Sequence, residues 1–241
     1  MYYMNYELPS RNVSLDEGEE DVGGHGGSGG ADNVSPSIAV QREIASLLQP
    51  YFTADGLVNR CLDHASTLEH IMDFTRLRAL GSLFSMINQS VRTVLHYNLT
   101  HSDFPMNSEQ LESYIPKALV YAMLWSFTGD SKSSYREEMS SYIRSATTIT
   151  LPPEAASKGS SILDFEITVD GNWAPWSSRV PAMDVETHKV GSPDVVVPTI
   201  DTVRHESLLY TWLADHKPMV LCGPPGSVWP ISIFFQVFAG N

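Results

Sequence analysis

From about Leu68 to Tyr97 apolar side chains return every three or four residues: Leu68, Ile71, Met72, Leu77, Leu80, Phe84, Ile87, Val91, Val94 and Leu95. That is the period of an α-helix with one apolar face. A helix so long, carrying such a face, needs other helices to cover it. Ala79, Gly81 and Ser82 form a small-residue patch where a neighbour can approach closely. Gly81 costs up to ~1 kcal/mol relative to alanine, which packing must offset.

The covering helices are written on either side. Ser35-Pro36 reads as a cap with proline at the first helical position, and Ile38, Ile44, Leu47 and Leu48 make a stripe that stops before Pro50. Thr53 is placed to cap a second helix with Leu57, Val58, Cys61, Leu62 and Ala65. Asn107 and Gln110 have the spacing of a capping box. The helix they open carries Leu111, Ile115, Leu119, Val120, Met123, Leu124 and Phe127. Pro116 falls inside it and removes one backbone bond, at ~3 kcal/mol or by a kink. Gly129 closes that helix, and Asp130 is placed to cap a fifth with Tyr135, Met139, Tyr142 and Ile143 on one side. Residues 36–146 are thus expected to form an antiparallel bundle of five helices with short connections.

The pattern changes at Leu151-Pro-Pro153. Phe165, Ile167 and Val169 alternate with Asp164, Glu166 and Thr168, the period of a half-buried strand, and Asp170-Gly171 is a hairpin turn signal. Trp173 and Trp176 follow and fit hairpin packing better than an exposed stacking platform. A proline-punctuated connector leads to Thr199, which is placed to cap a helix through His216 with Val203, Leu208, Leu209, Trp212 and Leu213 on its buried side. Met219 to Cys222 then reads as a short buried strand.

That strand runs into Gly223, Pro224, Pro225, Gly226 and Ser227, which fit the first five positions of a phosphate loop, GxxxxGK[ST]. Such a loop wraps phosphates in backbone N–H groups, reaches the β- and γ-phosphates with its lysine, and holds Mg²⁺ with its hydroxyl. Here the three closing positions are Val228, Trp229 and Pro230. No cation offsets the phosphates. No hydroxyl meets the metal, and Val228 puts a branched side chain where glycine allows close approach. The loop is begun and not finished.

Elsewhere the sequence argues by exclusion. A formal net charge of −13 opposes nucleic acid or an anionic membrane as partner. The N-terminus lacks the basic start and apolar run of a signal peptide, and no apolar run reaches the ~18–20 residues of a membrane span. Cys61 and Cys222 match no metal spacing and fit a reducing compartment, so the expected location is the cytosol. The Asn-x-Ser/Thr sequons at Asn12, Asn33, Asn88 and Asn98 then read as chance matches. The histidines carry no HExxH or paired-cysteine pattern. Asp16, Glu17, Glu19, Glu20 and Asp21 lead into a glycine-rich run at 23–30, which reads as a flexible acidic linker. Arg76 and Arg78 lie on the long helix, where a lid arginine reaches a neighbour's phosphate or forms a surface ion pair.

Longer words carry a resemblance. The run from Val195 to Ser227, with Val195-Val-Val-Pro-Thr-Ile-Asp201 and Lys217-Pro-Met-Val-Leu-Cys-Gly-Pro-Pro-Gly-Ser227, resembles the lead-in to the third AAA+ module of cytoplasmic dynein heavy chains. Glu69-His-Ile-Met-Asp-Phe-Thr-Arg-Leu-Arg-Ala-Leu-Gly-Ser-Leu-Phe-Ser-Met86 resembles the helical lid of the second module. Gln49-Pro-Tyr-Phe-Thr53, Trp173-Ala-Pro-Trp176 and Val185-Glu-Thr-His-Lys189 fit the same register, so the similarity spans residues 36–227.

The resemblance implies a mainly α fold: a five-helix AAA+ lid bundle, a β-hairpin connector and a truncated α/β P-loop start. It divides the chain into a linker (1–35), the lid (36–150), the connector (151–198), the start of the third module (199–227) and an apolar tail (228–241). The parent it implies is a minus-end-directed microtubule motor driven by ATP hydrolysis. Its partners would be the neighbouring AAA+ modules, dynein intermediate and light chains and microtubules. Gly223 to Ser227 become the start of that module's Walker A loop, and Val197, Pro198 and Thr199 the segment lying along the adenine. ATP or ADP with Mg²⁺ would belong to the complete module, with no cofactor and no ATPase activity expected of this chain alone. The family pattern is lost from Val228, and the Phe-rich residues 228–241 read as translated sequence beyond a splice boundary. The competing expectation is a non-motor helical adaptor that binds a protein partner.

Overall fold

The computed structural model describes residues 35–152, 161–182 and 198–217. Five helices come first: α1 Pro36–Leu48, α2 Leu57–Ala65, α3 Arg76–Thr100, α4 Ser108–Thr128 and α5 Ser133–Ala146. A two-stranded antiparallel hairpin follows, β1 Phe165–Ile167 with β2 Trp173–Pro175, and then α6 Ile200–Ala214. The described residues are mainly helical, as the sequence predicts. The strand expected at 219–222, the phosphate loop, the glycine-rich start and residues 228–241 lie outside them.

The architecture is organised by α4. The sequence predicts a single stripe on it, but Tyr114, Ala118, Ala122 and Trp125 are buried as well as Leu111, Leu119, Met123 and Phe127. A helix apolar on every side belongs in the middle of a bundle. Accordingly α1, α2, α3, α5 and β1 all pack against α4. Its N-terminus is fixed by the predicted capping box: Asn107 Oδ1 accepts from Gln110 N at 2.8 Å and Gln110 Oε1 from Asn107 N at 3.0 Å. Pro116 sits inside α4 without ending it.

Other predicted boundaries move. The long helix begins at Arg76 rather than near Leu68, with Thr75 as its cap. Leu68, Ile71 and Met72 keep helical spacing, yet residues 66–75 run as turns and extended chain, held by Ile71 N donating to Asp130 O at 3.2 Å. Ile71 and Met72 are therefore exposed, and Leu77 in the first turn of α3 is exposed too, so none of the three is part of the core stripe. Ile38 of α1 is exposed as well. The cap of α2 is Gly56, not Thr53, whose carbonyl instead accepts from Gly56 N and Asn59 Nδ2. No side chain larger than hydrogen fits at Gly56, since a Cβ would lie 2.4 Å from the Tyr51 carbonyl oxygen. Ser35 starts α1 through its backbone oxygen, and its hydroxyl pairs with Ser37. Lys132, not Asp130, occupies the cap position of α5, because the Asp130 carboxylate is turned toward His70 and Arg78.

The hairpin is fastened to the bundle by its turn. Gly171 has φ +73°, and its carbonyl accepts from Lys117 Nζ on α4. Lys117 also donates to Ser113 Oγ at 3.1 Å. A Cβ at Gly171 would fall 2.8 Å from Ser113 Oγ. Gly171→Ala should therefore cost about 1–2 kcal/mol, combining left-handed strain with displacement of the turn from α4. Urea unfolding midpoints of the two chains measure it.

Candidate functional site

Of the residues the sequence nominates, Pro198 and Thr199 lie among those described; Val197, Gly223, Pro224, Pro225, Gly226 and Ser227 do not. Thr199 is exposed and caps α6, with Oγ1 accepting from Thr202 N at 3.2 Å and Thr202 Oγ1 accepting from Thr199 N at 2.7 Å. Both groups that could face a ligand are thus engaged in starting the helix. Pro198 is half-buried just before it.

What the structure brings together lies one turn further on, where α6 meets the bundle and the hairpin. Arg204 on α6 is buried, though arginine seldom is. One terminal nitrogen donates to Leu163 O at 3.0 Å and lies 3.6 Å from Asp164 Oδ1; the other pairs with Asp201. Its guanidinium carbon stands 5.6 Å from the centre of the Trp125 ring on α4, and that of Arg136 on α5 stands 5.7 Å from the same ring. His205 meets Trp125 edge-on at 5.7 Å. An indole between cations gains electrostatic attraction through its π face.

Burial sets the electrostatics of the group. It pulls the Arg136 pKa down, with the nearby Arg204 charge adding to the effect. It likewise lowers that of His205, favouring the neutral ring. Tyr121, which packs near Trp125, has its hydroxyl pKa pushed up by burial. In the bundle core Cys61 is wholly buried and its thiol is pushed up to about 12, so the folded protein holds it as an inert thiol.

The hairpin closes the other side. Trp176 is buried beneath Arg179, whose guanidinium carbon is 5.5 Å from the ring centre and whose Nη1 donates to Glu166 Oε2 at 2.8 Å. Trp173 is half-buried and donates Nε1 to Thr150 O at 2.9 Å. Both tryptophans are packing residues here. Ile162 N donates to Ser140 Oγ at 3.2 Å, tying the approach to the hairpin onto α5.

The far end of α6 is also fixed. Arg92 on α3 donates to Ala214 O at 2.9 Å and pairs with Asp215 at 3.2 Å, a cation placed on the negative end of the helix. His216 takes the left-handed conformation at φ +52°, where glycine is usual, and Lys217 N returns to Trp212 O at 3.0 Å. Helix α6 is therefore held at both ends, with Leu208 and Leu209 buried between.

Arg76 and Arg78 point into local pairs, with Asp63 and with Asp130 respectively, the second at 3.1 Å. Among the described residues no group of His, Cys, Asp or Glu could hold a metal ion, and no helix is long and apolar enough to cross a membrane. The sequence reading missed Arg204, Arg136, Trp125 and Arg92. Only the Asp201–Arg204 spacing signals one of them, as a helical i,i+3 pair.

The comparisons agree with this layout. The family described as "Dynein heavy chain AAA lid domain" matches residues 48–178, from the end of α1 through the turn after β2. The cytoplasmic dynein heavy chain of Drosophila melanogaster is 56% identical over 236 residues, covering 97% of this chain and 5% of that protein. The cytoplasmic heavy chains of Caenorhabditis elegans and Dictyostelium discoideum are 47% and 45% identical, covering 79% and 80% of this chain and 4% of each of theirs. This chain thus spans about one-twentieth of the length of the relatives it matches. The chain belongs to the dynein heavy chain family, and its residues 48–178 are an AAA lid domain of that family.

Proposed function

We propose that this chain is a lid-and-linker piece of a cytoplasmic dynein heavy chain, joining the second AAA+ module to the start of the third. Its parent is a minus-end-directed microtubule motor driven by ATP, working in the cytoplasm with dynein intermediate and light chains. The observation that carries this reading is the fixing of α6 to the bundle at both ends, through Arg204 and Arg92. A helix so held moves with the lid, and the chain leaving it at Lys217 leads directly to the phosphate loop. Lid displacement is thereby passed to the next nucleotide site.

The chain itself has no ATPase activity and takes no cofactor. Support comes from the loop's own residues. Val228, Trp229 and Pro230 supply neither the lysine that stabilises the β- and γ-phosphates nor the hydroxyl that binds Mg²⁺. ATP or ADP with Mg²⁺ belongs to the complete third module, where Val197, Pro198 and Thr199 would lie along the adenine. Titrating a fluorescent ATP analogue with Mg²⁺ into the full chain is expected to give a linear, non-saturating signal. Saturable binding near micromolar concentration contradicts the proposal.

A further inference from the structure

Leu99 and Phe104 are the two most exposed large apolar side chains among the described residues, at 69% and 81%. Both lie where α3 gives way to α4, and the turn there is fixed rather than frayed. Phe104 N donates to His101 O at 3.0 Å, Met106 N donates to Asn98 Oδ1 at 2.9 Å, and the His101 ring stacks on Tyr97 at 4.2 Å between centres. Met106 is buried, so the turn is anchored while Phe104 stands in water. An apolar side chain held in this way gains free energy from an apolar cover.

Position and charge both indicate that cover. Arg92 holds the end of α6, so the chain leaves Lys217 beside Arg92. Leu99 lies seven residues beyond Arg92, on the same face of α3 and about 10 Å further along it. Residues 218–230 span up to about 45 Å when extended, more than that distance. Residues 231–238 follow, with Ile231, Ile233, Phe234, Phe235, Val237 and Phe238 and no charged side chain. Their match is the neutral turn, where Asp103 is the sole Asp, Glu, Lys or Arg in residues 93–108. The other exposed apolar group, Ile71, Met72 and Leu77, sits at the opposite end of α3 among Glu69, Asp73, Arg76 and Arg78.

We propose that residues 231–238 of this chain fold back over Leu99 and Phe104 and cover the turn between α3 and α4. The contact is made within one molecule. Its tether keeps the apolar run at a roughly millimolar effective concentration, so it outcompetes the same run of a second copy. The proposal does not depend on the nucleotide reading.

Photo-cross-linking of the full chain tests it. With p-benzoylphenylalanine in place of Phe104, irradiation in dilute solution should join position 104 to residues 228–241 of the same molecule, read by peptide mass spectrometry. Phe234→Asp with Phe235→Asp, changes beyond the lid, should lower that yield at least about tenfold. A cross-link that joins two copies, falls elsewhere in the chain or does not form overturns the proposal. So does an undiminished yield in the aspartate variant.

Discussion

Trp176→Ala should cost about 3–5 kcal/mol, the range for truncating a large buried aromatic. Trp176 is 1% exposed, covered by Arg179, and its 3-10 turn packs against α6 rather than joining the main core around α4. Truncation therefore opens a cavity between hairpin and α6. The bundle, built on Phe127, Met123 and Leu119, should keep its own cooperative transition. Denaturant unfolding followed by circular dichroism measures the loss. A cost under 1 kcal/mol would mean that the hairpin does not support α6.

Arg204→Met removes the guanidinium while keeping an unbranched apolar stem, and should cost about 2–3 kcal/mol. Three contributions decide the sign. The charged hydrogen bond to Leu163 O is worth ~1.5–3 kcal/mol. Contact with Trp125 adds ~0.5–2 kcal/mol for a desolvated pair. Against these, methionine needs no desolvation of a buried charge, and Arg204 Nε has no hydrogen-bond partner among the described residues. The partner carboxylates, Asp201 and Asp164, are 71% and 44% exposed, so losing them costs little. The carbonyl left at buried Leu163 keeps the balance unfavourable. The same unfolding measurement applies, and a stabilised variant would show that Arg204 is tolerated rather than needed.

Much of this fold is legible in the sequence where local chemistry decides. Asn107 with Gln110 and Thr199 with Thr202 fix two helix starts within four residues, and Gly171 fixes the hairpin turn. The start of α3 is not legible, because Leu68, Ile71 and Met72 continue the helical period. What overrides them is a set of bonds to Asp130, some sixty residues away in sequence. The central position of α4 is half legible: its stripe is plain, but the burial of Tyr114, Ala118 and Trp125 depends on helices arriving from both sides. The junction is the least legible part. Arg136 and Arg204 each look like solvated surface until Trp125 is placed between α5 and α6. The phosphate loop is the opposite case: residue chemistry alone predicts it, incomplete at Val228, Trp229 and Pro230, and it lies outside the described residues.

Native-state hydrogen exchange on the full chain tests most directly whether α6 and the lid move as one body. Amides in the middle of α6, around Leu208 and Leu209, should open with the same free energy as those of α4 around Leu119 and Met123. Arg204→Met should then lower protection in α6 and α4 together, by the same free energy. Protection in α6 that is already weak and independent of α4 in the unmodified chain would contradict the account, since a helix that opens alone cannot carry lid motion to the next module.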